Sequence, residues 1–521
     1  MSAERLIKKL SKYNTEDLIS GIIEYQLMDH MDESRLYKAE LLAGLLIRND
    51  IQSNKKTLKM LNFKELYDFA EKEVNKRTRE IMEESIKAFK QGASPKELEK
   101  SFQMRIKHLY HRGDGYIHQI LDFAQSLYGH FDEEISDKFG FSFTHCKEIY
   151  IYIFQKYMEQ TDVLMQQSEE LIGSGVKNPN VISTYNFNFR IEKDEIYKVF
   201  EKAIVDKWLE YFKVNPGEKT NSQFNSLSDF NILYSKPIID YDEYFYLLLP
   251  VNALQNLHKI FHYEFIANKT FGKDILENYK KLRGQLLEDL TAKYLRRLFN
   301  SNQVYESLFY FEDEHNMEDE HRFEADITVQ RDYITLLCEC KSKLLVLDSL
   351  KGTLKSIEKD VNAAILKANE QAERTYHYIQ NRKEIYKLNR RGDYEQVYLR
   401  DSPEYIKICV VADHFGWIPS SISDYLEADN LPLVINIFDL DLLTREAEDY
   451  RELLKYLIMR RNHLGKLQSI DELEIFCAYK NQGIPEDLEE NTIIVFDSHT
   501  TDMDQKYYEN EFKWLINYSF K

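Results

Sequence analysis

The chain has 521 residues, more than one ordinary domain, and 43% of them are hydrophobic, enough for a packed core. Only 17 Gly and 9 Pro are present, which excludes collagen-like and turn-rich, disordered classes. The net charge of −19 disfavours a protein whose whole surface binds nucleic acid, because such binding needs Lys and Arg on the contact face. A local basic groove remains compatible with an acidic total.

Cysteine usage and the N-terminal sequence bear on the compartment. The five Cys are odd in number and dispersed, which predicts buried free thiols in a reducing environment and no disulfide framework. The N-terminus is polar and lacks the apolar region of a signal peptide, and no apolar run reaches the ~18 residues that a membrane-spanning helix needs. We therefore expect a cytoplasmic protein without a membrane partner.

Residues 1–172 have apolar residues at three- and four-residue intervals, which predicts an all-helical domain. One such helix stops at Gly92, and the next begins with Ser94 as N-cap and Pro95 at the first helical position. A segment rich in Gly, Ser, Asn and Pro, residues 171–189, is the clearest linker. We expect the helical half to regulate the protein, to bind a protein partner or to form a homo-oligomer.

The second half of the sequence mixes helices and strands. Residues 185–270 are predicted to form a mixed α/β connecting region with a hairpin near residues 240–243. Residues 271–441 alternate between the two element types and predict an α/β core with a mixed central sheet. Residues 442–521 are predicted to form a helical C-terminal extension. The predicted fold class is therefore α+β and multidomain, with an all-α N-terminal half.

The chemistry is concentrated in RFEADITVQRDYITLLCECKSK, two strand-like runs joined by a short polar turn. Asp326 lies near the start of the first run, and the second run ends in Glu339-Cys340-Lys341. Alternate residues of a strand share a face, so Glu339 and Lys341 point the same way. Pairing around the turn brings Asp326 next to Glu339. The pattern predicts two carboxylates and an amine at one point.

Neighbouring carboxylates repel each other unless a cation lies between them, and Mg²⁺ prefers oxygen ligands while keeping water and phosphate in its other positions. Such an ion activates water and offsets charge on a phosphodiester transition state. The alternative remains open that the Glu-x-Lys triplet is a solvated surface pair. The sequence pattern favours a magnesium site, in which Mn²⁺ can substitute.

Polar residues on two flanking helices fit the same site. Glu288 lies beside an apolar leucine stripe and can point from its helix towards the sheet edge. Gln371 lies on a later helix with an Ala-rich packing face. Glu288 as a solvated helix acid and Gln371 as a surface amide are alternatives that the sequence leaves open.

These residues together resemble the PD-(D/E)XK, restriction-endonuclease-like nuclease superfamily over residues 273–441. The resemblance rests on Arg283-Gly284 with Glu288, then Glu324-Ala325-Asp326, then Glu339-Cys340-Lys341-Ser342, then Gln371. It implies that Glu288, Asp326 and Glu339 are metal-site acids, that Lys341 is the catalytic lysine, and that Gln371 is a supporting residue. Ala325 stands where the family name has Pro, which weakens the match slightly. The layout also resembles large bacterial nuclease-related proteins associated with antiviral defence.

Basic residues around this stretch are candidates for binding a phosphate backbone. We name Arg283, Lys343, Lys351 and Lys355 as substrate-binding residues, although solvated helix faces look the same. The acidic run at residues 311–324 is either an exposed loop or a screen over the site.

The sequence therefore predicts an Mg²⁺-dependent nuclease, with DNA as the favoured substrate. Two alternatives stay open: a non-catalytic nucleic-acid-binding or scaffold protein with a degenerate nuclease fold, and an RNA-directed nuclease. The sequence has no P-loop, no Rossmann glycine signature and no Gly-x-Ser-x-Gly elbow, so other catalytic classes lack support.

Overall fold

The computed structural model describes most of the chain. The described ranges are residues 2–28, 34–48, 56–58, 60–110, 113–173, 189–215, 221–311, 322–381, 384–389, 391–400, 402–426, 431–485, 488–489, 492–496 and 499–520. The chain forms two compact units, one of Met1–Gln91, His108–Gly272 and Met503–Lys521, the other of Gly92–Lys107 and Lys273–Asp502. The four predicted domains and their boundaries stay predictions, and most of the linker at 171–189 lies outside the described residues.

The α-helices run in chain order as follows: α1 Ser2–Leu10, α2 Thr15–Met28, α3 Ser34–Arg48, α4 Met60–Lys90, α5 Pro95–Tyr110, α6 Ile117–Tyr128, α7 Asp132–Phe139, α8 Phe143–Gly173, α9 Lys193–Ile196, α10 Lys202–Phe212, α11 Pro250–Ile266, α12 Lys273–Leu295, α13 Leu347–Leu350, α14 Leu354–Val361, α15 Lys367–Gln380, α16 Ile437–Glu446, α17 Tyr450–Asn462, α18 Glu472–Gln482 and α19 Thr501–Ile516.

The strands are β1 Ile191–Glu192, β2 Ile238–Asp240, β3 Tyr244–Leu247, β4 Val304–Phe311, β5 Arg322–Arg331, β6 Ile334–Lys341, β7 Ile385–Leu388, β8 Tyr394–Val397, β9 Glu404–Val411, β10 Leu433–Asn436, β11 Leu467–Gln468 and β12 Ile494–Val495. They form a three-stranded sheet β1-β3-β2, a seven-stranded sheet β10-β9-β6-β5-β4-β7-β8, and the pair β11-β12. The fold is thus α+β with a mixed main sheet, as the sequence predicts.

The N-terminal half is helical, and its helix ends follow the predicted signals. Helix α4 ends just before Gly92, whose φ of +98° is the left-handed conformation that glycine adopts without strain. Helix α5 begins at Pro95, and the Ser94 hydroxyl accepts a hydrogen bond from Glu97 N while the Glu97 carboxylate bonds back to Ser94 N. This reciprocal capping explains why one helix stops and the next starts within a few residues.

The main sheet of the second unit combines two pairing directions. Strands β6, β9 and β10 are parallel, and β6, β5, β4, β7 and β8 pair antiparallel in that order. Cys340 of β6 contacts Thr291 of α12, whereas Leu337 clusters with Ala372 of α15. These two β6 residues point to opposite faces, so the sheet lies between α12 and α15.

Three elements differ from the sequence-based expectations. The sequence predicts one long helix over residues 350–381. The structure has a break at residues 351–353, after which α14, a wider π-type turn at Asn362–Leu366 and α15 are continuous to Gln380. The sequence also predicts a strand over residues 432–439, but this strand ends at Asn436, because the Asn436 side chain accepts from Phe438 N and starts α16. The β7–β8 hairpin was not expected, because its sequence is rich in polar residues, which are typical of a loop.

None of the described helices combines the length and the apolar character that crossing a membrane requires.

A buried ion pair joins two helices near the C-terminal end of the second unit. Arg460 of α17 donates through Nε and Nη2 to the two carboxylate oxygens of Glu472 on α18, at 2.6 and 3.0 Å. The Tyr456 hydroxyl donates to the same carboxylate at 2.5 Å. Both charged side chains are almost fully buried, so each depends on the other to offset lost hydration.

Replacing Arg460 by Met leaves the Glu472 carboxylate buried without its cation. We expect a loss of about 3–5 kcal/mol in the free energy of unfolding, measured by urea denaturation. The exposed Lys455→Met on the same helix is the control and should change this free energy little. Equal stability of the Arg460→Met variant and the wild type would contradict the dependence of the pair on its cation.

Candidate active site

The predicted acids meet where β5 and β6 part. The ladder between these strands ends at Ile327 paired with Cys338, so the next residues in register are Asp326 and Glu339. Strand β6 nevertheless stays paired with β9 up to Lys341. The Asp326 carboxylate, through Oδ2, accepts a hydrogen bond from the backbone N–H of Cys340 at 2.7 Å. We call residues 324–327 of β5 and 338–341 of β6 the β5–β6 fork.

Strand β4, which pairs with β5 on the side away from β6, is also irregular next to Asp326. Strand β4 pairs Glu306 with Ile327 and Leu308 with Ala325, but the intervening Ser307 has a φ of +50°. This left-handed conformation is uncommon outside glycine and turns the chain locally. Asp326 therefore lies where the ladders on both of its sides are interrupted, which leaves its side chain room to turn towards β6.

Lys341 supplies the cation at the fork. Its Nζ lies 3.7 Å from Asp326 Oδ2 and 3.7 Å from Glu339 Oε2. Glu339 is 1% exposed, and its buried Oε2 accepts no hydrogen bond from a described residue. The predicted convergence of Asp326, Glu339 and Lys341 is present in the structure.

Burial controls the protonation of Glu339. Burial raises the pKa of the Glu339 carboxyl well above its usual range, and the neighbouring Asp326 raises this pKa further. Lys341 and Arg374 lower the same pKa by attraction, but less than burial raises it. A divalent cation would have to displace the proton that this environment favours.

Glu288 reaches the fork from α12. The pKa of Glu288 is raised to about 7, mainly by burial. Repulsion from Asp326 and Glu324 raises this pKa by smaller amounts, and attraction to Lys341 lowers it. These electrostatic neighbours belong to the fork, so the helix acid lies beside the strand acids as the sequence predicts. Glu288 is not a fully solvated helix acid.

Sequence reasoning missed two residues near the fork. Glu324 raises the pKa of Glu288, whereas the sequence pattern assigns Glu324 no role of its own. Arg374 of α15 acts on the Glu339 carboxyl, although its helix showed only a polar face. The alternation of β5, which places Glu324 two residues before Asp326, was the available signal for the first.

The segment that follows Lys341 is held by side chains. Arg283, 3% exposed, donates through Nε to the carbonyl oxygen of Ser342 at 2.8 Å. Asp413 accepts from Leu345 N at 2.7 Å, and Asp360 accepts from Val346 N at 2.9 Å. These contacts fix the exit from β6 and with it the Lys341 backbone.

The residues predicted to bind substrate occupy different environments. Arg283 is buried in the contact with Ser342, and Lys343 forms an ion pair of 2.8 Å with buried Asp360. Lys351 and Lys355 are exposed near α13 and α14, and Gln371 is half-buried on α15. Burial of Arg283 favours a structural role. The binding roles of the lysines and the supporting role of Gln371 stay predictions.

The donor set fits one hard cation held by two carboxylates. Across the ranges that the structure describes, no group of three or more His, Cys, Asp and Glu is arranged to hold a metal ion. Mg²⁺, however, is commonly bound through one or two carboxylates, with water and substrate phosphate completing its shell. Asp326 and the hydrogen-bond-free Oε2 of Glu339 satisfy that smaller requirement.

Comparison with known proteins gives no independent assignment: no family model, no curated protein and no solved structure matches the chain. The resemblance to PD-(D/E)XK nucleases therefore rests on the residues of the fork and on the order of the elements around them.

Metal affinity should depend on pH, because the Glu339 carboxyl, whose pKa burial raises, must lose its proton before it binds a cation. Below the pKa of such a group, metal affinity rises by up to about tenfold per pH unit. We expect Mn²⁺ binding, measured by electron paramagnetic resonance, to tighten from pH 6 to pH 8. Asp326→Asn should abolish this binding, and Asp348→Asn, which removes an exposed carboxylate, should leave it unchanged. Binding that is independent of Asp326 would place the ion elsewhere.

Proposed function

We propose that the chain is a metal-dependent nuclease that hydrolyses phosphodiester bonds, with DNA as the favoured substrate. The single observation that carries the proposal is the meeting of Asp326, Glu339 and Lys341 at the β5–β6 fork. Buried carboxylates beside one amine are costly in a purely structural role, and they match the needs of phosphoryl chemistry.

In the proposed mechanism, Asp326 and Glu339 would hold Mg²⁺ or Mn²⁺, and Lys341 orients the attacking water. Such an ion would lower the pKa of the attacking water and offset negative charge in the transition state. The water oxygen forms a bond to phosphorus, the bond from phosphorus to the leaving sugar oxygen breaks, and that oxygen keeps the electron pair and takes a proton from solvent. Glu288, with a pKa near neutrality, accepts the proton that the attacking water releases.

The order of elements supports a restriction-endonuclease-like core. Helix α12, strands β4, β5 and β6, helices α14–α15 and strand β9 come in the order that the resemblance implies, with α13 inserted after β6 and the β7–β8 hairpin inserted before β9. By the same resemblance we propose a role in bacterial defence against phage or foreign DNA. The helical N-terminal half would then provide recruitment, regulation or self-association.

Two competing functions use the same fork. A non-catalytic nucleic-acid-binding or scaffold protein with a degenerate nuclease fold is favoured by the lack, among described residues, of a three-ligand metal group. An RNA-directed nuclease would use the same groups as the DNA enzyme. Cleavage assays separate all three hypotheses.

We expect the wild-type protein to cleave DNA in Mg²⁺ or Mn²⁺ and to lose this activity in EDTA. Lys341→Ala should lower the cleavage rate by at least about 100-fold, because it removes a charge that acts in the transition state. The exposed Lys455→Ala is the matched control. Supercoiled, linear and single-stranded DNA and RNA at equal salt reveal the substrate, and the absence of metal-dependent cleavage of every one would support the binding protein.

A further inference from the structure

Arg374 is an exposed arginine on α15 that the proposed mechanism has not used. Its Cζ lies 4.2 Å from the ring centroid of Phe323, and its Nε donates to the Tyr310 hydroxyl at 3.4 Å. Tyr310 and Phe323 are register partners on β4 and β5. The planar guanidinium is thus fixed over β4 and β5 at the level of Phe323, which precedes Asp326 by three residues.

The guanidinium lies next to the fork. Helix α15 packs against β6 and β5, and the ring beneath Arg374 belongs to Phe323, which directly precedes Glu324 of the fork. Gln371 lies three residues earlier and therefore on the same side of the helix.

The Nη1 and Nη2 groups of Arg374 form no hydrogen bond or ion pair with a described residue. Other cations around the fork are engaged: Lys343 pairs with Asp360, and Lys407 of β9 pairs with Glu373. A guanidinium held by a ring and a hydroxyl, with its outer edge open, is prepared for an incoming ligand.

A phosphodiester that enters the fork meets carboxylates as well as cations. Glu288, Glu324, Asp326 and Glu339 are neighbouring acids there, so the phosphate needs a positive partner in addition to any metal ion. A guanidinium binds two oxygens of a phosphate at once, which a lysine does not. The two terminal amino groups of Arg374 are the donors that such a contact uses.

We propose that Arg374 binds the scissile phosphate through its non-bridging oxygens and stabilises the charge that builds there during cleavage. The inference rests on the proposed nuclease function and deepens it by assigning a catalytic residue that the sequence motif lacks. Tyr310 and Phe323 act as positioning residues, because they hold the guanidinium and do not touch the phosphate.

The test uses the full-length protein with two substrates, linear DNA and bis(4-nitrophenyl) phosphate. The small diester contains a scissile phosphate and no neighbouring phosphates, so it reports the contact directly. We expect Arg374→Ala to slow hydrolysis of both by about 100-fold, the usual effect of removing one transition-state donor. Arg374→Lys should retain part of the rate, because it keeps the charge but loses the two-oxygen contact.

Two controls give the outcome a single meaning. Arg400→Ala removes an exposed arginine near Gln330, at the opposite end of β5, and should cleave like the wild type. Added guanidinium ion should restore part of the rate of Arg374→Ala and none of the rate of Asp326→Asn. If circular dichroism shows that Arg374→Ala is unfolded, the rate of Arg374→Lys on the small diester tests the proposal instead, and a rate equal to that of the wild type contradicts it.

The failures of the two proposals are distinguishable. A wild-type protein that cleaves neither substrate with any metal overturns the nuclease function and this inference together. A wild type that cleaves both, with Arg374→Ala equally fast on the small diester, overturns only the role of Arg374. A loss on DNA alone also overturns it, because Arg374 would then contact a neighbouring phosphate.

Discussion

The hydrogen bond from the Cys340 N–H to the Asp326 carboxylate replaces, at the fork, the backbone hydrogen bond that would otherwise join β6 to β5. Beyond Ile327 and Cys338, the backbone of β5 no longer satisfies that donor, and a side chain takes its place. The exchange holds Asp326 against β6 and leaves the end of the strand pair open. The proposed chemistry depends on this position of Asp326, because Asp326 is the group that Glu339, Lys341 and Glu288 all have as a neighbour.

Helices on both faces of the sheet complete this arrangement. Helix α12 brings Glu288 from one face, and α15 brings Arg374 from the other. Buried contacts place both helices: Cys340 donates a hydrogen bond from its thiol to the Thr291 hydroxyl of α12, and Leu337 packs against Ala372 of α15. A site whose charges come from rigid elements on two faces needs little rearrangement to bind a ligand.

The sequence was sufficient where local rules decide the structure. Alternation along β6 put Glu339 and Lys341 on one face, and the short turn between β5 and β6 set the register that brings Asp326 opposite Glu339. Non-local geometry was not accessible in this way. Arg374 is one more polar residue on a helix until Phe323 and Tyr310 are known to lie beneath it, and Arg283 looks like a surface cation until its contact with Ser342 is seen. The β7–β8 hairpin lacks apolar alternation, so its pairing with β4 depends on the sheet that receives it.

The far end of α12 has a consequence for the modularity of this protein. Arg297, just after α12, forms an ion pair with Asp441 of α16 at 2.6 Å and also donates to the Asp441 carbonyl oxygen and to the Thr444 hydroxyl. The predicted core boundary at residue 441 falls inside α16, so a fragment cut there would keep every acid of the fork but lose Thr444, one of the two α16 residues that bind Arg297. A fragment that retains all three contacts has to extend to the end of α16 at Glu446.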